Sequence, residues 1–285
     1  MNGKARDGAG GRRRAMTPEN LKKLQATELD LLFLLDRLCR ENGISYMICG
    51  GTALGALRHH GFIPWDDDVD VAMLRSEYEK FAAVCARNFS KGGRYFLQDF
   101  RTDANYRWGY AKLLNTRTVW ERPGHEQLKM RKHICIDIFI LDGAPASRLG
   151  YRLHAAVCFC IRKILWSPAG RFQAGNSLLR AWYGLLSLIP RKASETALLG
   201  LAKMFPEKNA KFFRPLTWPG GPFPRAWVTE LTEAEFEGRK LYASAHADAW
   251  LRFTYGDYMQ LPPPAERRGT NTVVYYRLED EAEMF

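Results

Sequence analysis

Four carboxylates, Asp66, Asp67, Asp68 and Asp70, fall within five positions, directly behind a Pro64-Trp65 turn. The last two open the run Asp68-Val69-Asp70-Val71-Ala72-Met73-Leu74, which alternates as a half-buried strand does. Successive strand side chains point to opposite faces, so the spacing predicts Asp68 and Asp70 on one face and Val69 and Val71 on the other. Carboxylates roughly 7 Å apart along a strand repel each other unless a cation lies between them. Hard oxygen ligands in that disposition suit Mg²⁺, with Mn²⁺ as the alternative, and such ions commonly clamp phosphate oxygens. The plainer reading of any Asp cluster is a solvated acidic turn. Gly50-Gly51 upstream and apolar neighbours around the pair favour the metal site. Asp137 is the only charge within the Ile134–Leu141 run. A lone Asp amid Ile and Phe is costly to bury unless something pairs with it. It is either a hydrogen-bonded core Asp or the third carboxylate beside the metal.

The elements that must position these groups are readable from caps and periodicity. Thr17-Pro18-Glu19 starts a helix, Leu21, Leu24, Leu31, Leu35 and Leu38 give it an apolar face, and Gly43 stands where a C-terminal cap belongs. Ile44–Cys49 is a short predicted strand leading into Gly50-Gly51. Glycines let a backbone approach phosphate closely, and the amides of the following helical turn, with Thr52, can donate to it. Gly61 is expected to end the turn carrying Arg58, His59 and His60. Ser76 to Glu79 reads as a capping box launching a helix through Phe89. Tyr95–Phe100, Trp108–Leu114, Thr118–Arg122 and Ile134–Leu141 are predicted strands. Ala243–Tyr255 is a predicted helix ended by Gly256.

The stretch from Gly50 through Val71 closely resembles the signature of the LicD family of phosphocholine transferases, relatives of the fukutin-type phosphoribitol transferases. Ala111-Lys112-Leu113-Leu114-Asn115-Thr116 resembles the family's lysine-bearing strand, and Ile136 to Asp142 its third-carboxylate strand. Tyr255-Gly256-Asp257-Tyr258-Met259 with Pro262-Pro263 is similar to its C-terminal motif. The resemblance covers roughly residues 20–145 and 222–265. It implies an α/β fold, a nucleotidyltransferase-like mixed sheet flanked by helices, and Mg²⁺-dependent transfer from a CDP-activated alcohol. Asp68 and Asp70 would then hold Mg²⁺ against the donor diphosphate. Asp137 would complete the metal shell or act as general base toward the acceptor hydroxyl. The Gly50, Gly51 and Thr52 turn would cradle phosphate, with Arg58 and Lys112 as phosphate clamps; Lys112 rests on the resemblance alone. A choline headgroup would need an aromatic or carboxylate cage, for which Trp65, Trp108, Tyr110 and Tyr255 are available.

Composition sets the outer bounds. Across 285 residues, 46% hydrophobic and 26% charged is ordinary globular content, and no run approaches 18 uninterrupted apolar residues. No apolar segment of signal-peptide type follows the basic, glycine-rich start. Cys39, Cys49, Cys85, Cys135, Cys158 and Cys160 form no Cys-x-x-Cys pair, so free thiols in a reducing cytoplasm and no zinc are expected. The net charge of +11 is uneven: residues 148–214 hold twelve Lys or Arg against two Glu. The expected organisation is a disordered basic tail at 1–15, a catalytic core at 16–145, a basic α-helical insert at 146–214, and a C-terminal segment, 215–285, returning to the core. Pro168 is expected to break the insert's first helix, Tyr151–Trp166, and Pro190 to end its second, Ser177–Ile189. The insert either caps the sheet or docks on anionic lipid, in which case Arg162, Lys163, Arg191 and Lys192 would carry the contact.

The reading that follows is transfer of a phospho-alcohol, phosphocholine first, to a glycan hydroxyl of lipopolysaccharide or teichoic acid type. The enzyme would be cytoplasmic, or peripheral on the inner face of the membrane when the acceptor is lipid-linked. A true nucleotidyltransferase would use the same Gly-Gly and acidic pair, but its RNA-binding versions interleave aromatic with basic residues on a platform. Here the basic residues lie on apolar helices, so no nucleic-acid partner is expected. A catalytically inactive glycan- or membrane-binding module is the third reading, and it would gain nothing from an unneutralised acidic pocket.

Overall fold

Thr17 caps the first helix in the computed structural model, which describes residues 16–217, 220–267, 269 and 273–279. Its hydroxyl accepts the Asn20 amide at 3.2 Å, Pro18 takes the first helical position, and α1 runs Pro18–Glu41. Gly43 follows the C-cap Asn42 at φ +60, the left-handed conformation that glycine adopts freely. The tail expected at 1–15 lies outside the described residues, as does the chain beyond residue 279.

From there the chain runs β1 (Met47–Ile48), α2 (Gly50–His59), β2 (Asp70–Leu74), α3 (Arg75–Asn88), β3 (Tyr95–Gln98), β4 (Ala111–Asn115), β5 (Val119–Glu121) and β6 (Ile134–Ala144). Three helices follow: α4 (Arg148–Gln173), α5 (Ser177–Leu186) and α6 (Arg191–Met204). The return comprises β7 (Phe212–Pro215), β8 (Phe223–Pro224), α7 (Arg225–Thr229), β9 (Leu231–Phe236), β10 (Arg239–Ser244), α8 (Ala247–Tyr255) and β11 (Tyr275–Arg277). The main sheet is ordered β3-β4-β6-β2-β1-β10-β9, with β7 on the far half of β6 and β8 beyond it. Its β2–β6 and β1–β10 pairs are parallel and the others antiparallel. This is the mixed α/β sheet flanked by helices that the family resemblance implies. A separate ribbon joins β11 to β5.

Period-two alternation sorts the sheet into two chemistries. Val71, Met73, Ile136, Ile138, Leu113 and Leu241 point into the larger core with Leu31, Leu35, Tyr78 and Phe81 of α1 and α3. On the other face Ala72, Phe139 and Leu141 meet Phe213, Phe223 and Trp250. Asp70, Lys112 and Asp137 belong by parity to this second face, away from the α1/α3 core.

Several boundaries differ from expectation for local reasons. The acidic turn stays irregular until β2 begins at Asp70, so Asp68 precedes the strand. Ser76 is no cap, because α3 already starts at Arg75 after an extended Leu74; the Ser76 hydroxyl donates to Glu207 at 2.7 Å. The left-handed residue closing α2 is His60, at φ 57, rather than Gly61. Pro168 does not break α4, which runs through it to Gln173. The insert holds a third helix, α6, capped by Pro190, and the sheet resumes at Phe212, two residues before the insert's expected end. The β9–β10 hairpin, turning at Glu237-Gly238, takes up the start of the expected Ala243 helix.

One ion pair fastens α3 to the sheet. The Arg75 guanidinium spans both Asp142 oxygens, and Asp142 is buried in β6. Removing one partner of a buried pair strands the other's charge, typically at 3–5 kcal/mol. Arg75 is partly exposed, so Arg75→Ala is expected to cost about 3 kcal/mol in urea unfolding. A loss below about 0.5 kcal/mol would show that water already serves Asp142.

Candidate active site

The Gly50-Gly51 turn lies directly against the acidic groups. A Cβ on Gly50, whose φ is +57, would fall 2.7 Å from an Asp70 carboxylate oxygen. One on Gly51 would fall 2.6 Å from Asp66. The two glycines therefore exist to let backbone approach carboxylates, a close contact that any side chain would fill. Thr52 fixes the arrangement from beneath: its hydroxyl accepts the Asp70 amide at 2.8 Å, and the Asp70 carbonyl accepts from Cys49 at 3.1 Å. The turn itself closes through the Asp66 amide to Ile63 at 2.9 Å, and Gln25 of α1 donates to the Asp66 carbonyl at 2.9 Å.

Sheet register then builds a row. Asp70 of β2 stands opposite Asp137 of β6, and Asp137 stands opposite Lys112 of β4. The Lys112 ammonium is ion-paired with Asp137, and the Tyr110 ring lies 5.1 Å from it. Burial pushes Asp70 well above the ordinary carboxylate range, with Asp68, Asp137 and Asp66 adding repulsion. Asp66 is raised to about 8, by burial first and then by Asp68 and Asp67.

A further carboxylate, missed in the sequence, faces the same cluster. Glu28 of α1 is 2% exposed, and one of its oxygens has no hydrogen-bond partner among the described residues. Burial, then Asp68, Asp67 and Asp66, hold its pKa far up. The signal was there: Glu28 interrupts the apolar face between Leu24 and Leu31.

The chemistry of this donor set fits a divalent cation. Carboxylates crowd and repel one another, and a Glu28 oxygen with no partner among the described residues faces them. Among the described residues, however, no three His, Cys, Asp or Glu side chains converge on one metal position. Mg²⁺ typically takes one or two carboxylates and completes its octahedron with water and substrate phosphate oxygens. Asp68 and Asp70 suit that role.

The expected phosphate clamps are otherwise engaged. Arg58 donates to the Tyr258 carbonyl and to His59, fastening α2 to the C-terminal motif. Lys112 is committed to Asp137. The available cations line a cavity of about 610 Å³ between the core and α4: Arg107 and Arg122 from one side, Arg162 and Lys163 from the other. Trp108, Tyr110, His125 and Trp166 supply its aromatic walls, and no Asp or Glu among the described residues lines it. A terminal guanidinium nitrogen of Arg107 is buried without a partner among the described residues, while its Nε donates to the Leu165 carbonyl at 2.8 Å. Arg122 links cavity and cluster, since Asp137 and Asp68 oppose the burial that would lower its pKa. Of the four cage candidates, Trp108 and Tyr110 line this cavity. Burial, then Asp70, raises the Tyr255 phenol, with Asp66 and Asp68 contributing. Trp65 packs edge-on to His59, ring centroids 6.5 Å apart, and shares none of these contacts.

The fold and the site define a mixed α/β sheet that carries a buried carboxylate row beside a cation-lined cavity. Residues 43–141 match the LicD/FKTN/FKRP nucleotidyltransferase domain. Over that stretch, about a third of its length, the chain is similar to the LicD family. It is 29% identical over 262 residues to the lipopolysaccharide cholinephosphotransferase LicD of Haemophilus influenzae, covering 87% of this chain and 94% of that one. An uncharacterized protein of Rickettsia typhi is 43% identical over 47 residues, 16% of this chain and 15% of its own.

Asp70→Asn is expected to cut turnover more than about 100-fold. The same change removes a repelled carboxylate, so the unfolding midpoint should hold or rise. Retention of most activity would remove Asp70 from the chemistry. Gly51→Ala gains about 1 kcal/mol of helix propensity but displaces the Asp66 carboxylate. Near-normal stability with sharply reduced kcat is the expected pair of results; unchanged kcat would make Asp66 a bystander.

Proposed function

We propose that this enzyme moves a phospho-alcohol, phosphocholine foremost, from a CDP-activated donor to a hydroxyl of a cell-surface glycan, releasing CMP. The observation that carries this reading is the cation-lined, aromatic-walled cavity whose Arg122 and Tyr110 also interact with the carboxylate row. A nucleoside diphosphate needs both surfaces: rings for the base and fixed cations for the phosphates. The lipopolysaccharide cholinephosphotransferase of Haemophilus supports choline as the alcohol and lipopolysaccharide as the acceptor class, with teichoic acid the analogous polymer. A cytoplasmic setting, at the inner face of the membrane for a lipid-linked acceptor, completes the reading.

The acceptor oxygen attacks the distal phosphorus, the new oxygen–phosphorus bond forms, and the bond to the bridging oxygen breaks as CMP leaves. Asp137 receives the hydroxyl proton, with Lys112 holding its carboxylate in place. Arg122, with Arg162 and Lys163, offsets the charge that builds on the departing CMP phosphate. Tyr255, beside the acidic cluster, offers an aromatic face to a quaternary ammonium. A Mg²⁺ ion on Asp68 and Asp70 would neutralise the diphosphate and clamp its oxygens.

A Mg²⁺-dependent binding titration of CDP-choline, CDP-ribitol, CDP-glycerol, CTP and ATP tests the reading. Metal-dependent preference for one CDP-alcohol, lost in EDTA, is expected. Preference for an intact triphosphate would move the enzyme to nucleotidyl transfer. Arg122→Ala should weaken donor binding about tenfold or more; unchanged affinity would take the cavity out of donor recognition.

A further inference from the structure

The outer surface of the α4–α5 hairpin is apolar where a free-standing protein is usually polar. On α4, Leu149, Leu153, Val157 and Cys160 recur at helical spacing and are all exposed, Leu149 at 69%. On α5, Leu178 is 81% exposed, and Trp182 and Leu185 stand out with it. The only buried residue of α5 is Tyr183, which packs edge-on against Trp166 of α4, ring centroids 5.3 Å apart. An apolar patch of this kind on adjacent helices marks an interaction surface.

Charge selects the partner. Residues 146–194 contain eight Lys or Arg and no Asp or Glu. Arg148, Arg152, Arg171 and Arg180 are exposed beside the apolar row. A second copy of this chain would set like charge against like charge. Crossing a bilayer is excluded for these helices, because no described helix is long and apolar enough. The ten residues of α5 reach only about 15 Å against a hydrocarbon core of about 30 Å. Apolar side chains flanked by cations, on helices that lie along a surface, fit the interface of an anionic bilayer.

Of the four cations expected to make that contact, Lys192 is exposed and the other three are engaged elsewhere. Arg162 and Lys163 turn inward to the cavity, and Arg191 holds the Phe100 carbonyl at 3.1 Å. We infer that the α4–α5 hairpin docks on anionic phospholipid through Leu149, Leu153, Leu178, Trp182 and Leu185, flanked by Arg148, Arg152 and Arg180. This holds whichever donor the active site takes.

The test is co-sedimentation of the full chain with phosphatidylglycerol vesicles, against neutral phosphatidylcholine vesicles. The wild type should partition to the anionic vesicles and come off at high salt. The exposed triple variant Leu178→Ser, Trp182→Ser, Leu185→Ser should lose about tenfold or more in partitioning. Arg148→Gln, Arg152→Gln, Arg180→Gln should lose roughly a hundredfold. Both variants should keep wild-type CDP-choline binding and unfolding midpoint, which separates this inference from the donor assignment. A fluorophore on Cys160, the exposed thiol of the described residues, should shift blue on vesicles. Equal partitioning of wild type and both variants, an unshifted Cys160 probe, or equal binding to neutral vesicles would overturn it. So would a wild-type dimer that ignores vesicles and becomes monomeric in the serine variant.

Discussion

Crowded negative charge is the constraint around which this molecule is arranged. Six carboxylates, Glu28, Asp66, Asp67, Asp68, Asp70 and Asp137, share this region, and Lys112 and Arg122 are among the cations that oppose them. Such a cluster is tolerable only if backbone immobilises it, since mobile carboxylates would swing apart into water. Every local device serves that end. Two glycines admit the carboxylates to the helix start, Thr52 and Cys49 grip Asp70, and Gln25 holds the turn. The apolar core on the opposite face keeps the strands in register, so that Asp70, Asp137 and Lys112 line up across three of them.

The helical insert belongs to the site as much as to the surface. Its seat on the core is made by side chains reaching backbone: Arg107 to Leu165, Gln173 to Pro123 and Arg191 to Phe100. Those bonds bring Arg162, Lys163 and Trp166 to the cavity wall while leaving the leucines of α4 and α5 outside. One helix thus presents cations inward and hydrocarbon outward, which its 3.6-residue period permits and a strand could not arrange as gradually.

Much of this was legible in the sequence. The Thr17 cap, the Gly-Gly turn, the acidic run and the Asp137 strand are local patterns, and local patterns announce their own geometry. Partnerships across the sheet were not legible. That Lys112 would neutralise Asp137 and Arg58 would serve Tyr258 depends on register and on docking of remote segments. Arg107 sits in an irregular stretch, and Arg122 closes a predicted strand that in the structure stops one residue before it. Pro168 misled because tertiary packing of α4, with Ala169 and Gly170 fully covered, outweighs the local penalty of an interior proline. Glu28 was the one clear omission: a charge on an apolar helix face is visible without any structure.

The parallel pairing of β1 with β10 has a consequence for how the molecule comes into being. Ile48 meets Ala243, almost two hundred residues later, and Gly269 lies within van der Waals reach of Asp67. Contacts of such span close slowly, after more local ones have formed. While the chain emerges from the ribosome, the edge that β10 will occupy stands open, and β1 has only β2 beside it. A nascent chain halted after α6 would carry the aspartates but not the strands and aromatics that enclose them. Competence for chemistry therefore waits until β10 and α8 have been made.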